Sequence, residues 1–179
     1  IICSGPSFGQ RDYLFQSLEE ALEVHPDSVY RLDLSKSQLK FVPEEVMKFK
    51  NLRELDLSKN KLTELPVNFI FKQLEVLHLT KNKFEIFPTV LCSNTALKQL
   101  FMGKNRLSEL PNCIGELQEL VILDIWFNTI EVIPESIVQL KKLRSMDLRG
   151  MNYSNEFQEK WRKLLPWVTI EFDLGCDCG

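Results

Sequence analysis

The sequence has no excess of basic residues and no long apolar run, and each absence excludes a class of function. There are 22 lysines and arginines against 25 aspartates and glutamates, so the net charge is −3. Proteins that hold nucleic acid present a basic surface, so this balance argues against a nucleic-acid partner. No stretch approaches the roughly 18 consecutive apolar residues of a membrane-spanning helix, so we expect no transmembrane segment.

Residues that commonly carry catalysis are also scarce. The chain has two histidines, no phosphate-binding glycine loop and no HExxH zinc motif. A Ser-His-Asp arrangement could be drawn from Ser58, His78 and Asp56, but it would lie open on a sheet without oxyanion donors. We therefore predict no enzymatic activity, no cofactor and no metal site. A hydrolase built on His78 is the least favoured alternative.

Five cysteines are present, and their spacing fits no zinc site. Cys92 and Cys113 fall on neighbouring repeats but two positions out of register, which argues against a disulfide between them. Cys176 and Cys178 lie in the C-terminal GCDCG, and we interpret this tail as carrying free thiols.

Residues 1–10 read IICSGPSFGQ, an apolar start followed by small residues. This composition resembles the end of a secretory signal peptide, and the alternative is a disordered leader. A signal peptide would make the protein secreted, periplasmic or attached to the cell surface. Without it, a cytoplasmic location is equally compatible with the sequence.

A pattern of about 23 residues recurs through most of the chain. LRELDLSKNKLTELP begins at Leu52, LEVLHLTKNKFEIFP at Leu74, LKQLFMGKNRLSELP at Leu97 and LVILDIWFNTIEVIP at Leu120. VYRLDLSKSQLKFVP (29–43) is the first copy and carries serine in place of the asparagine, and LRSMDLRGMNY (143–153) is the last. The repeats are numbered one to six in chain order. The alternation in LxLx predicts a short strand in each copy. One copy cannot bury its apolar face alone, so the copies must stack.

These repeats resemble the leucine-rich-repeat family over about residues 29–150. The Leu-Pro pair and the short period are similar to repeats of signalling scaffolds and secreted bacterial proteins. The resemblance implies an α/β solenoid, a curved right-handed superhelix with a parallel sheet on its concave side. It also implies protein recognition through the concave face, without catalysis.

An asparagine follows the strand in four repeats. We expect its side chain to turn inward and to bond the backbone of its own and the next turn, in place of the ladder partners that the bend removes. These structural asparagines are Asn60, Asn82, Asn105 and Asn128. The return segment of the second repeat, VNFIFKQ (67–73), is one residue short, which predicts a tighter arc.

The ends of the stack should differ from its middle, because open ends would expose the core. Residues 12–24 place leucines at i, i+4 and i+8, which predicts an amphipathic helix as the N-terminal cap. NEFQEKWRKLL (155–165) predicts a second helix, with Asn155 and Gln158 at capping-box spacing, and WVTIEFDL (167–174) a final strand. We therefore predict a leader (1–10), one domain (11–174) and a tail (175–179). The domain comprises a helical cap (11–28), six repeats (29–150) and a helix-strand cap (151–174), and we expect a monomer.

The fifth repeat carries Trp126-Phe127 where its neighbours carry Ser-Lys, Thr-Lys or Gly-Lys. Gly103 stands beside Trp126 and should leave room over the sheet. An exposed aromatic cluster with a charged rim is typical of a protein-binding hot spot. Alternatively, Phe127 tucks under a loop and Trp126 packs on Phe101. The predicted partner site comprises Val76, His78, Phe101, Ile122, Asp124, Trp126, Phe127, Asp147 and Arg149.

A second alternative for function rests on a row of lysines beside the same strands. In that case the protein is structural or adhesive, and the row holds a surface glycan or matrix. These lysines are Lys36, Lys59, Lys81 and Lys104.

Overall fold

Eight parallel strands form one sheet in chain order, as shown by a computed structural model that describes residues 11–173. The strands are β1 (Leu14–Phe15), β2 (Arg31–Asp33), β3 (Glu54–Asp56), β4 (Val76–His78), β5 (Gln99–Phe101), β6 (Ile122–Asp124), β7 (Ser145–Asp147) and β8 (Thr169–Glu171). Each strand pairs with the next in constant register, so equivalent residues stand in rows across the sheet. The predicted α/β solenoid is confirmed.

Four return segments on the convex side are short 3-10 helices, and each begins directly after a proline. They span Glu44–Lys48, Thr89–Ser93, Asn112–Glu116 and Glu135–Gln139. Proline suits this position because its fixed φ favours the turn and its missing N–H is not needed there. The core lies between these segments and the sheet, and it is built mainly from the repeated leucines.

The return segment of the second repeat, residues 66–73, contains turns and no 3-10 helix. Its missing residue leaves the Phe71 N–H and the Phe69 carbonyl to be satisfied from outside. The side chain of Asn94, in the next repeat, accepts from Phe71 N at 2.8 Å and donates to Phe69 O at 3.0 Å. Asn94 is fully buried and stands where the following repeats carry Leu117 and Leu140. The Asn94 side chain therefore supplies the hydrogen bonds that the short arc lacks.

A disulfide joins Cys92 to Cys113, with their Cα atoms 5.8 Å apart, so the prediction against this bond was wrong. For two cysteines on adjacent arcs to bond, the side chain of the first must point towards the following repeat and that of the second towards the preceding repeat. A 3-10 helix has three residues per turn, so these two directions occur at different positions of the repeat. The difference in register that argued against the bond is in fact what allows it.

The N-terminal cap differs from the single helix predicted over 12–24. The edge strand β1 comes first, and α1 (Leu18–Leu22) follows with Ser17 as its N-cap. Phe15 and Ala21 are buried, whereas Leu22 is exposed. Pairing with β2 wins over helix formation here because the first repeat otherwise leaves an open strand edge. The possible leader lies outside the residues that the structure describes.

The C-terminal cap consists of α2 (Asn155–Leu164) and β8, which extends the sheet beyond β7. The helix begins one residue earlier than the predicted capping box, because the Ser154 Oγ accepts from Phe157 N. Trp161 and Leu165 are buried in the core. Cys3, Cys176 and Cys178 lie outside the described residues. Within residues 11–173, no helix has the length and apolarity to cross a membrane.

Candidate functional site

The asparagines after the strands set the backbone that carries the candidate site. All four are at most 9% exposed, and each amide bonds backbone atoms on two repeats. Asn128, for example, donates to Ile125 O in its own repeat and to Met102 O in the preceding one, and accepts from Leu107 N. The bonds therefore run to the preceding repeat, not to the following one as predicted. They hold every strand end in the same conformation.

One residue before each asparagine position, the backbone is left-handed in all six repeats. The φ angles are between 50° and 60° at five non-glycine residues and 84° at Gly150. The conformation is imposed from outside, since the N–H of each non-glycine member donates to a carbonyl of the next repeat, as Phe127 N does to Arg149 O at 2.7 Å. A left-handed conformation costs a non-glycine residue about 1–2 kcal/mol. The five non-glycine members are Lys36, Lys59, Lys81, Lys104 and Phe127.

Trp126 fills the space above Gly103, in the same row of the sheet. A Cβ atom on Gly103 would lie 2.2 Å from the Trp126 Nε1 and 2.9 Å from the Asp124 Oδ1. The glycine is therefore a seat for the indole, and the free room predicted over Gly103 is occupied. Trp126 is half-buried and is held in place by the sheet beneath it.

Phe127 is seated in the same way on the other side, by Gly150. A Cβ atom on Gly150 would lie 2.5 Å from the Phe127 Cδ2. The two aromatic rings meet edge to face with centroids 5.3 Å apart, and Phe127 remains 56% exposed. The Lys104 Nζ lies over both rings, 4.7 Å from the Trp126 centroid and 5.5 Å from that of Phe127. Phe127 is therefore fixed in position and still open to a partner.

Asp124 lies below this aromatic pair and is incompletely satisfied. Its Oδ1 is buried and has no hydrogen-bond partner within residues 11–173. Burial, together with the nearby Asp147 carboxylate, raises the pKa of Asp124 to about 6. The Trp126 backbone N–H and the Arg149 guanidinium act in the opposite direction. The site therefore contains a carboxyl group with one buried oxygen, Oδ1, that lacks a hydrogen-bond donor.

Asp147 and Arg149 form the charged edge of the site. The Arg149 Nε donates to both Asp147 oxygens, at 3.0 and 3.2 Å, and its Nη2 lies 3.2 Å from the Glu171 carboxylate. Asp147 is only 8% exposed, so Arg149 covers it. Glu171, on β8, was not among the predicted site residues.

The remaining predicted site residues form a separate group towards the middle of the sheet. The rings of His78 and Phe101 stack with centroids 4.5 Å apart. Val76 and Ile122 share a row but are separated by Gln99. The alternative in which Trp126 packs on Phe101 has no support in the aromatic contacts of the described residues, where Trp126 pairs with Phe127.

The Ser-His-Asp arrangement is not assembled. The Asp56 Oδ1 accepts the Ser58 N–H at 2.7 Å, as a local bond within its own strand. Across residues 11–173, the His78 ring makes no hydrogen bond or ion pair to Asp56. The ring instead lies flat against Phe101, so no carboxylate orients the histidine as a triad requires.

Sequence reasoning missed two parts of this site, Gly150 and Glu171. A signal for Gly150 was present in the repeat alignment. Gly150 stands where four repeats carry lysine and one carries phenylalanine, and a lone glycine in such a row marks a left-handed or crowded backbone. The contacts between repeats, which decide what the glycine is for, are visible only in the structure.

Comparison with known proteins gives related results at three levels. The sequence profile described as "Leucine rich repeat" matches residues 27–84. Leucine-rich repeat and calponin homology domain-containing protein 1 of mouse and of human are each 34% identical over 139 residues. That alignment covers 75% of this chain and 19% of each relative, so the chain spans about a fifth of their length.

Two solved structures from Listeria monocytogenes share the fold. An internalin (InlF) superposes with a TM-score of 0.68 at 19% identity, covering 89% of this chain and 46% of the internalin. Internalin C2 superposes with a TM-score of 0.70 at 20% identity, covering 88% and 66%. Together with the repeat pattern, the asparagine ladder and the continuous parallel sheet, these matches show that the chain belongs to the leucine-rich-repeat family.

Proposed function

We propose that this chain is a non-enzymatic module that binds a protein partner through the C-terminal part of its concave face. The anchor is the pair Trp126 and Phe127, and Asp124, Asp147 and Arg149 form its polar rim. Leucine-rich repeats typically serve as protein-interaction modules, and this proposal adds the place and the residues.

The observation that supports the proposal best is the conformation of Phe127. The fold requires a left-handed backbone at this position and accepts glycine in the next repeat. A large aromatic residue is unfavourable in such a conformation, which is uncommon outside functional sites and turns. Phe127 fills no core, because more than half of its surface is exposed. Its ring therefore has a use outside the fold, and contact with a partner is the simplest one.

The rigidity of the aromatic pair also suits binding. Trp126 and Phe127 are each seated on a glycine, so neither ring has to be ordered when a partner arrives. Preorganised side chains lose less conformational entropy on association, and tryptophan is among the commonest hot-spot residues. The unpartnered Asp124 oxygen would accept a donor from the partner. We infer a partner surface that combines an apolar group with a hydrogen-bond donor.

We also propose that the protein works outside the reducing cytoplasm. The Cys92–Cys113 disulfide supports this, since such bonds persist in secreted, periplasmic and surface proteins and are rare in cytosolic ones. Protein purified from its host should gain two additional alkylated thiols after reduction, as measured by mass spectrometry. Complete alkylation without reduction would contradict this location.

The function is tested by affinity capture from the native host with variants taken from the protein's own repeats. Trp126→Ser with Phe127→Gly gives repeat five the serine of repeats one and two and the glycine of repeat six. We expect a band captured by the wild type to be lost. Phe41→Ser with Val132→Ser removes two other exposed apolar side chains and should retain the band. Circular dichroism confirms folding of both variants.

The same experiment separates the alternatives. Equal capture by the wild type and the Trp126→Ser/Phe127→Gly variant would place the interaction elsewhere and contradict the proposal. Loss of capture with Lys81→Glu alone would favour the adhesive alternative. An enzymatic activity that disappears with His78→Ala would favour the hydrolase.

A further inference from the structure

Beside the concave sheet, seven cationic side chains stand in two parallel rows, which we call the basic stripe. The inner row is the left-handed position of repeats one to four, and the outer row lies two residues further along the chain in repeats two to four. All seven side chains are exposed. Because neighbouring strands are about 4.8 Å apart, each row presents one charge per strand spacing. The inner row is Lys36, Lys59, Lys81 and Lys104, and the outer row is Lys61, Lys83 and Arg106.

These charges are largely unneutralised by the protein. Within the part of the chain that the structure describes, Arg106 makes the stripe's one ion pair, at 3.4 Å from Glu85. Lys61 bonds the neutral Gln38, and Lys104 lies over the aromatic pair. The neighbouring row on the sheet consists of the neutral residues Ser35, Ser58, Thr80 and Gly103. A protein with a net charge of −3 therefore has a concentrated basic surface beside its first four repeats.

The backbone shows that the fold does not require lysine in the inner row. Hydrogen bonds between repeats impose the left-handed conformation, as from Lys59 N to Thr80 O at 2.8 Å. Glycine adopts this conformation without steric cost, and asparagine adopts it more readily than lysine does. Gly150 shows that glycine is accepted at the same position. Lysine is thus a disfavoured choice four times in succession, which indicates a role for the charge itself.

We propose that the basic stripe binds a linear acidic polysaccharide, a chain with carboxylate or sulfate groups at regular intervals. The proposal does not depend on the aromatic site. The stripe runs along repeats one to four and ends where Phe127 takes the lysine position.

The chemistry of the stripe favours a polysaccharide over two other polyanions. Neither row is interleaved with aromatic residues, and the aromatic pair adjoins only the Lys104 end of the stripe. The regularly spaced stacking platforms that hold single-stranded nucleic acid are therefore missing along the stripe. An extended acidic peptide presents same-face side chains about 6.6–6.8 Å apart, which drifts out of step with strands about 4.8 Å apart. Six of the seven cations are lysines, which are mobile point charges and not bidentate forks. Such charges suit anionic groups held loosely along a chain of sugar rings.

The test measures binding of two labelled probes, oligogalacturonate for carboxylate and dextran sulfate for sulfate, by fluorescence anisotropy. The stripe variant is Lys36→Asn, Lys59→Asn, Lys81→Asn and Lys104→Asn. The control variant makes four lysine-to-asparagine changes at exposed positions outside the stripe, Lys48, Lys50, Lys72 and Lys163. Both variants lose the same charge. We expect the stripe variant to bind at least one probe tenfold or more weakly, with a lower salt dependence, and the control to stay within twofold of the wild type.

Two further measurements make the outcome decisive. Because asparagine tolerates the left-handed backbone, the stripe variant should melt at the wild-type temperature or above, and a lower melting temperature would show that the lysines serve the fold. The outer-row variant Lys61→Gln, Lys83→Gln and Arg106→Gln should weaken binding without any change at a left-handed residue.

Three results would overturn the proposal. One is equal loss of binding in the stripe and control variants, and another is no binding of either probe by the wild type. The third is tighter binding of poly-glutamate or oligo-dT than of both polysaccharides. The outer-row variant changes no side chain that lies over Trp126 or Phe127, so it should weaken probe binding and leave capture of the protein partner unchanged. Failure of the polysaccharide proposal and failure of the aromatic site are therefore distinguishable.

Discussion

On each face of the solenoid, one repeat differs in sequence from its neighbours. The surrounding structure compensates for the two differences in different ways. On the convex side, the second repeat lacks a residue, and the buried Asn94 amide in the third repeat satisfies the backbone that this exposes. On the concave side, the fifth repeat adds Trp126 and Phe127, which Gly103 and Gly150 accommodate.

The difference lies in what remains unsatisfied. Asn94 completes the hydrogen bonds of the short arc, so this departure ends within the fold. The aromatic pair leaves Phe127 exposed and the Asp124 Oδ1 without a partner. Buried polar groups in folded proteins are nearly always paired. An irregularity that stays unpaired and exposed therefore points to something outside the protein, whereas a repaired one does not.

The largest effect should come from removing the repair on the convex side. Asn94→Leu introduces the residue that the fourth and fifth repeats carry, but leaves the Phe71 N–H and the Phe69 carbonyl buried without partners. We expect the free energy of unfolding to fall by about 2–5 kcal/mol, since each such group costs about 1–3 kcal/mol. Urea denaturation measures it. Asn68→Leu, at an exposed position of the same arc, is the control and should change stability by under about 0.5 kcal/mol. Equal effects at both sites would mean that Asn94 repairs nothing.

A smaller loss should follow from filling a glycine seat on the concave side. Gly103→Ser introduces the residue of the first two repeats, but its Cβ would collide with Trp126. Overpacking of this kind costs about 1–3 kcal/mol. In a Trp126→Ser background the same change should cost much less, because the indole is then absent and only the end of the Asp124 side chain has to shift. A double-mutant cycle measured by thermal unfolding gives the coupling. Additive effects would show that Gly103 is not the seat of the indole.

A third, smaller effect should be a gain, from removing the unsatisfied charge. A folded pKa of about 6 for Asp124, above the ordinary value of about 3.9, means that the folded state binds its proton more tightly. Stability therefore falls as pH rises from about 4 to 6. Asp124→Asn should remove this fall and stabilise the protein at pH 7 by about 1 kcal/mol, after allowance for partial solvent screening. At pH 3 the variant and the wild type should be equal.

The matched change in the N-terminal half of the sheet should have the opposite effect on the free energy of unfolding. Asp56→Asn weakens a satisfied bond, because an amide oxygen accepts the Ser58 N–H less strongly than a carboxylate does. We expect a loss of about 0.5–1 kcal/mol at pH 7. Urea denaturation at pH 3, 5 and 7 tests both variants. Loss of stability in both at pH 7 would mean that Asp124 is as well satisfied as Asp56.

The interior of this protein follows closely from its sequence. The period of the leucines predicts the parallel sheet, and the asparagine positions predict the inward-facing amides. Prediction was weaker where a residue of one repeat compensates for, or bonds to, a residue of the neighbouring repeat. Asn94 reads as an ordinary loop residue until the short arc before it is superposed on its neighbours. Cys92 and Cys113 appear mismatched until their facing directions are known. At the N-terminus, helical spacing of the leucines competed with strand pairing, and the tertiary edge decided the outcome.

The sequence by itself determined the repeat, the stacking direction and which residues form the core, because these depend on periodicity and on the burial of apolar side chains along one chain segment. Only the tertiary structure decided which exposed residues matter. Three features arise from contacts between residues about 23 positions apart. They are the left-handed backbone at one residue in each repeat, the glycines that make room for Trp126 and Phe127, and the unpartnered Asp124 oxygen. Such contacts depend on how one repeat rests on the next, and no local pattern along the chain encodes that geometry.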